Sequence, residues 1–317
     1  MAITVNTNVS SMIVQRNLAQ STTSLNQAIE RMTTGYKINH AADNAAGYSI
    51  ARNWEAQLSS LDVAADNAAT GADMLSTLED HYALISSHVQ RVRDLTEQAS
   101  NGTYGDQSKQ AIEAEIKARL EEINRIALNC EFNGIKMMDG SDSSAKSIQV
   151  GIDGSASKSQ ISLSAELFAS AKIDALFAIT GDGAYAPSEA NNTGESNPST
   201  ADAKLARKLS NLAKDCAGTS TYSGHKTSTD MLGTLDRVIS RISDRITTLG
   251  AAQNRIESAI ESIGVQSENI TSSLSTLRDA DVATESSNYI KAQILQQASA
   301  TLLATANQSP SIALNLL

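Results

Sequence analysis

"LDRVISRISDRITTLGAAQNRIESAIESIGVQSENITSSLSTL" runs from Leu235 to Leu277. Stepping alternately by four and three residues from Leu235 lands on Ile239, Ile242, Ile246, Leu249, Gln253, Ile256, Ile260, Ile263, Ser267, Ile270, Leu274 and Leu277. Eleven of these thirteen positions are Ile or Leu. An apolar repeat of about 3.5 residues sustained over this length predicts a long helix supercoiled left-handedly against neighbouring helices. No proline interrupts the run, and only Gly250 and Gly264 weaken its backbone.

A second seam lies upstream. It passes through Ile50, Trp54, Gln57, Leu61, Ala64, Ala68, Gly71, Leu75, Leu78, Tyr82, Ile85, Val89, Val92, Thr96 and Ala99, and twelve of the fifteen positions are apolar. "SNGTYGD" (Ser100 to Asp106) ends it with Gly102 and Gly105. A shorter helix follows on the stripe Ile112, Ile116, Leu120, Ile123 and Ala127, and it stops near Asn129 to Gly134. Its other face carries Lys109, Glu113, Lys117, Arg119, Glu121 and Glu122.

The texture changes between the helical halves. Residues 131–167 contain Asn133–Gly134, Asp139–Gly140 and Asp153–Gly154, the last flanked by the alternating runs "SIQVGI" and "QISLSAEL". Such dipeptides between alternating runs predict β-hairpins. Residues 180–200 read as a polar surface loop, 201–215 as a short helix, and the stretch to about 229 as another loop. The fold class is therefore mainly α. It is a long antiparallel helical hairpin or coiled-coil bundle, with a small β-hairpin region and a short variable surface insert.

Composition agrees. Of 317 residues 41% are hydrophobic but only 3% aromatic, so Ala, Ile and Leu at regular spacing must fill the core. The three prolines, Pro187, Pro198 and Pro310, all read as loop residues. A net charge of −10 argues against a phosphate-backbone partner, and no nucleic acid is expected. No apolar run is long enough for a membrane span. "MAITVNTNVSS" lacks the basic and apolar regions of a cleavable secretory signal. Cys130 and Cys216 match no metal spacing and read as free half-buried thiols, with a disulfide as the alternative.

The two ends are alike. From Ala2 to Ile29 the one charged side chain is Arg16, and from Ser286 to Leu317 it is Lys291. Val5, Val9, Met12, Leu18 and Leu25 recur at roughly helical spacing at one end; Ile290, Ile294, Leu295, Leu302 and Leu303 do so at the other. An antiparallel pair of such segments covers one stripe on each helix and leaves apolar surface over. Isolated helices of that kind are marginal in water. These ten residues are therefore expected to be the subunit-assembly surface, disordered in the monomer and ordered when neighbouring subunits supply the missing core. Membrane insertion is not expected, because interfacial helices favour a basic polar face.

No catalytic constellation occurs, so an enzyme is not expected, and neither cofactor nor metal is. His81 and His88 share a face but lie about 10.5 Å apart along a helix axis, too far to hold one ion. Arg91 and Arg93, like Glu121 and Glu122, read from the residues alone as a solvated helix face.

Several stretches resemble bacterial flagellin: "MAITVNTNVSS", "TSLNQAIERMTTGYKINHAADNAAGYSIA", "VQRVRDLTEQASNGTYG", "EINRIALNCEFNGIKMMDG" and "NYIKAQILQQASATLLATANQSPSIALNLL". They cover roughly residues 1–165 and 230–317 in the family's order. The resemblance implies a subunit exported unfolded by the flagellar type III system and polymerised with copies of itself into an extracellular swimming filament. It implies residues 1–42 and 281–317 as an inner helical tube, 43–180 and 225–280 as an outer tube with β-hairpins, and 181–224 as a variable exposed region. The implied partners are an export chaperone, cap and junction proteins, and Toll-like receptor 5, the last through Gln90, Arg91, Leu95 and Glu115. Some family members carry a zinc-protease insert, but no H-E-x-x-H surrounds His40, His81, His88 or His225. The alternative within the structural family is a hook–filament junction protein.

Overall fold

The computed structural model describes residues 8–142, 144–177, 201–219 and 227–314, with side chains undescribed at 201–208 and 309–314. The long helices are α1 (Val9–Thr34), α2 (Ala45–Ser100), α3 (Asp106–Asn129), α7 (Ser228–Arg278) and α8 (Val282–Leu314). Between α3 and α7 come β1 (Glu131–Phe132), β2 (Ile135–Lys136), β3 (Lys146–Gln149), α4 (Ala156–Ser159), β4 (Gln160–Leu163), α5 (Ile173–Phe177) and α6 (Ala201–Ala217). The mainly α class with small hairpins is what the periodicity requires. The chain divides into two compact units, residues 61–264 and residues 1–60 with 265–317.

In the 61–264 unit the α2 seam is the spine. Leu61, Ala64, Ala68, Leu75, Leu78, Tyr82, Ile85, Val89, Val92 and Ala99 are all buried. So are Ile112, Ile116, Leu120, Ile123 and Ala127 of α3 and Leu235, Ile242, Leu249 and Ile256 of α7. α2 and α7 run antiparallel: Arg93 Nε meets Asp236 Oδ1 at 2.6 Å, and further along Gln253 Nε2 donates to Glu79 Oε2 at 2.8 Å. The α7 seam is half as deep as its heptads suggest. Leu235, Ile242, Leu249, Ile256 and Ile263 are buried, whereas Ile239 and Ile246 are half-buried and Ile260 is exposed. Met231, Val238 and Ala252 on the flank complete the buried face instead.

The gap at Gly71 in the α2 seam has a reason. A Cβ there would lie 2.4 Å from Ile148 Cδ1 and 3.2 Å from its Cγ1 and Cγ2, so glycine gives the Ile148 side chain of β3 its seat on this helix. Asn133 and Gly134 both take positive φ, 49° and 79°, and turn β1 into β2 as a two-residue loop. β3 and β4 pair antiparallel from Lys146↔Leu163 to Gln149↔Gln160. Their connection is not the tight Asp153–Gly154 turn that the dipeptide suggested. It is a longer excursion, residues 150–159, that contains α4. In it Val150 N and Gly151 N both donate to Ser159 O, at 2.7 and 3.1 Å. Two arginines of α7 hold the segment after β4. Arg245 donates to Tyr82 Oη at 3.1 Å and to the Ala169 and Ser170 carbonyls at 3.3 Å; Arg241 donates to the Ala175 carbonyl at 3.0 Å.

α6, expected over 201–215, buries Leu209, Leu212, Ala213 and Cys216. Both cysteines are free and buried, which settles the disulfide alternative. Burial pushes each thiol up to about 12. The polar loop read at 180–200, with Pro187 and Pro198, lies outside the described residues. Pro310 does not lie in a loop: it falls inside α8.

Candidate functional site

In the unit formed by 1–60 and 265–317, α1 and α8, segments expected to order only in an assembly, are helical in the single chain and pack together along their length. Each helix is set by its ends. The Asn8 side chain accepts from Ser11 N at 3.1 Å and caps α1; Gly35, with φ 75°, closes it. Asp281 accepts from Ala283 N at 2.9 Å and from Thr284 Oγ1 at 2.8 Å, which starts α8 and holds the Asp281 carboxyl below its ordinary range. Asp43 is lowered likewise, chiefly by the His40 amide. The two turns are tied by Lys37 N to Arg278 O at 2.7 Å and Ala280 N to Gly35 O at 2.8 Å. Arg278 stacks over the Tyr36 ring at 4.0 Å and pairs with Glu55.

The seam between α1 and α8 is made of small and polar residues. Ser11 and Ala28 are buried on one side, and Glu285, Ala292 and Ser299 on the other. Polar rungs cross it. Asn8 Nδ2 donates to Ala306 O at 2.7 Å, Ser11 Oγ to Asn307 Oδ1 at 2.8 Å, and Gln296 Nε2 to Thr22 Oγ1 at 3.3 Å. Arg31 pairs with Glu285 at 3.2 Å. The first rung explains how α8 accommodates Pro310. Proline has no amide hydrogen, so the Ala306 carbonyl loses its helical donor, and the Asn8 side chain supplies one.

The sequence-derived assembly residues separate into two groups. Leu18, Leu25 and Leu303 are half-buried along the seam. Val9, Met12, Ile290, Ile294, Leu295 and Leu302 are exposed, together with Ile13, Ile29 and Met32. Val5 lies outside the described residues. The sequence reading missed the seam itself, because Ser11, Ala28, Ala292 and Ser299 carry no large apolar signal. The heptad register Ser11–Leu18–Leu25, with Ala28 three residues on, against Ala292–Ser299–Ala306 was available in the spacing. Burying small groups inward and leaving large apolar ones outward is the reverse of a self-sufficient helix pair.

The receptor-reading residues lie on α2 and α3. Gln90 and Arg91 are exposed, and Arg91 Nη2 is 3.0 Å from Glu115 Oε1. Arg119 extends the cluster, 3.8 Å from Glu115 and 3.5 Å from His88 Nδ1; burial first and then Arg119 lower the His88 pKa. Leu95 is different: it is 2% exposed and packs in the core of the unit rather than standing on this face. His81 Nδ1 donates to the Thr77 carbonyl at 2.7 Å, as a helix-surface histidine does. Among the described residues no group of three His, Cys, Asp or Glu side chains could hold a metal, and no helix is long and apolar enough to cross a membrane.

Comparison with known proteins agrees with this architecture. The family model of the bacterial flagellin N-terminal helical region matches residues 5–143, and that of the C-terminal helical region matches 232–317. A flagellin of Xenorhabdus nematophila is 37% identical over 318 residues, and one of Serratia marcescens 39% over 353, each match covering the whole of both chains. A solved structure of a putative flagellar hook-associated protein from Vibrio parahaemolyticus shares the fold at a TM-score of 0.56 and 14% identity, covering 75% of this chain and 100% of its own. The chain thus belongs to the bacterial flagellin family, a family of structural flagellar filament subunits and not of enzymes.

Proposed function

We propose that this chain is exported unfolded through the flagellar type III channel and polymerises by burying the outward faces of α1 and α8 against other copies. One observation carries the reading. The large apolar residues Val9, Met12, Ile290, Ile294, Leu295 and Leu302 stay exposed while Ser11, Ala28, Ala292 and Ser299 fill the seam. On this reading residues 1–42 and 281–317 line the inner tube and 43–180 and 225–280 the outer tube; within 181–224, read from the resemblance as exposed, α6 instead packs into the core through Leu209, Leu212, Ala213 and Cys216. The nearly uncharged outward faces suit burial between neighbours, since each charged group taken from water carries a desolvation cost. An export chaperone that covers the same apolar tail before secretion, and cap and junction proteins at the filament ends, are part of this reading.

The test compares the full chain with a chain lacking 286–317, in pelleting assays followed by electron microscopy with seeding fragments. Long filaments from the full chain alone support the reading. Filaments from both refute it. Short or absent filaments from the full chain favour the alternative, a hook–filament junction protein built on the same fold.

Recognition by Toll-like receptor 5 is proposed through Gln90, Arg91 and Glu115, with Leu95 supporting that face from within. Arg91→Ala removes both the cation and its brace on Glu115. Reporter cells bearing the receptor should then require more protein for half-maximal response; an unchanged response refutes the assignment.

A further inference from the structure

The chain contains two Asn–Gly dipeptides, Asn101–Gly102 and Asn133–Gly134. We propose that Asn101 is a site of spontaneous deamidation in the folded protein and that the hairpin at Asn133 protects the second. The chemistry needs no partner but water. The Gly102 backbone nitrogen loses its proton to solvent base and bonds to Asn101 Cγ. The Cγ–Nδ2 bond breaks, ammonia leaves, and a five-membered succinimide remains. Water then opens either ring carbonyl. One opening leaves an aspartyl residue in the ordinary linkage, and the other an isoaspartyl residue with one more main-chain carbon.

The geometry distinguishes the two sites. Asn101 and Gly102 are exposed just past the end of α2, and nothing lies within 4 Å of a Cβ built on Gly102. The Gly102 amide hydrogen makes no hydrogen bond among the described residues, so it is open to solvent base. Thr103 N donates to Asn101 Oδ1 at 3.1 Å, which polarises the side-chain carbonyl that is attacked. Closing the ring requires the Asn101 main chain to rotate. Two exposed bonds restrain that rotation: Thr103 N to Asn101 Oδ1 at 3.1 Å, and Tyr104 N to Asn101 O at 3.4 Å, the latter beyond the ordinary range.

Asn133 and Gly134 are exposed too, and a Cβ built on Gly134 would meet nothing within 4 Å, so the backbone makes the difference. Asn133 sits at φ 49° beside Gly134 at φ 79°, the left-handed pair of a two-residue hairpin loop. Phe132↔Ile135 pairing closes the loop, and Met137 N to Cys130 O at 3.0 Å extends the ladder behind it. The ring fixes the Asn ψ far from the left-handed value of roughly +47°, so attack requires the hairpin to open.

The experiment incubates the full chain as monomer at mildly alkaline pH, natively and in urea. Samples are digested under mildly acidic conditions. Mass spectrometry reads the NH2-to-OH exchange in the peptides holding each site, and an isoaspartyl methyltransferase assay reads the branched product. Native protein should accumulate the exchange at 101, severalfold faster than at 133, and urea should bring the two rates together. Gly102→Ala should slow the native signal at 101 severalfold or more and leave 133 unchanged. Equal native rates, a faster rate at 133, or a native rate at 101 that Gly102→Ala leaves unchanged would each overturn the proposal. So would an Asn101 that stays intact in the folded chain while reacting in urea.

Discussion

Asn8 joins the two ends of the chain with one side chain, and its energetics can be separated. Its oxygen caps α1 and its Nδ2 fills the carbonyl that Pro310 leaves open at Ala306. Asn8→Ala removes both. Loss of a helix cap costs about 1 kcal/mol, and a net hydrogen bond is worth about 1 kcal/mol more. The expected loss is therefore about 2 kcal/mol of local stability, a drop of roughly thirtyfold in exchange protection at 1.4 kcal/mol per decade. Pro310→Ala restores an amide to the helix ladder, so Ala306 no longer depends on Asn8. In that background Asn8→Ala should cost only the cap, about 1 kcal/mol, or roughly fivefold. Hydrogen exchange on the first turn of α1 and the last described turns of α8 measures both local openings directly. An Asn8→Ala effect of the same size in both backgrounds would refute the reasoning, because the Asn8–Ala306 bond would then carry no energy of its own.

Three further outcomes follow from the same contacts. Arg31→Met leaves Glu285, whose side chain is 10% exposed, without its cation; it should destabilise the α1–α8 pair by about 2 kcal/mol, while Arg31→Met with Glu285→Leu recovers most of it, since removing both charges avoids an unpaired buried one. Exchange protection along α8 reads the difference, and an equal loss in the single and double variants counts against it. With both thiols pushed up to about 12 by burial, Cys130 and Cys216 should resist a thiol reagent in the native chain at mildly alkaline pH and react on unfolding; fast native labelling of either contradicts the buried placement. The Asp281 carboxyl is lowered by its Thr284 and Ala283 partners, so its contribution to the start of α8 is complete above the unfolded carboxylate pKa of about 3.9 and is lost as pH falls through the depressed folded value. Carboxyl chemical shifts should place its midpoint below that of Asp281 in the unfolded chain; a midpoint at or above it removes the capping account.

Much of the fold was legible because long helices write their buried face into the spacing. The α2 seam from Leu61 to Ala99 is buried nearly position for position, and the Asn133–Gly134 loop is the hairpin its dipeptide announced. Alternate positions of the α7 heptads failed because the buried face is turned by one residue there, to Val238 and Ala252 in place of Ile239 and Gln253, so the step from Leu235 and from Leu249 is three and not four. Asp153–Gly154 misled because a dipeptide reports local preference, whereas the Ser159 carbonyl, beyond the dipeptide, organises that connection. Pro310 was read as a loop residue because its cost is local, and its compensation comes from Asn8 nearly the whole chain away. The apolar ends pointed to assembly, but the direction in which each side chain faces could not be read from hydropathy. Large apolar residues normally point inward, and here the fully buried positions of the seam are Ser11, Ala28, Glu285, Ala292 and Ser299, with leucines only half-buried beside them.

The account rests on that inversion, and one measurement reaches it most directly. Ile294 and Leu302 are 59% and 56% exposed on α8. Full burial of such a side chain is worth about 1.5–3 kcal/mol, so the part still open to a neighbour is worth roughly 1–1.5 kcal/mol each. The critical concentration for polymerisation of Ile294→Ser with Leu302→Ser, measured by sedimentation over a range of total protein, should rise roughly thirty- to a hundredfold. The monomer's helicity and α8 exchange protection should stay at the unsubstituted level. An unchanged critical concentration, with the monomer intact, would show that filaments do not bury this face and would contradict the account.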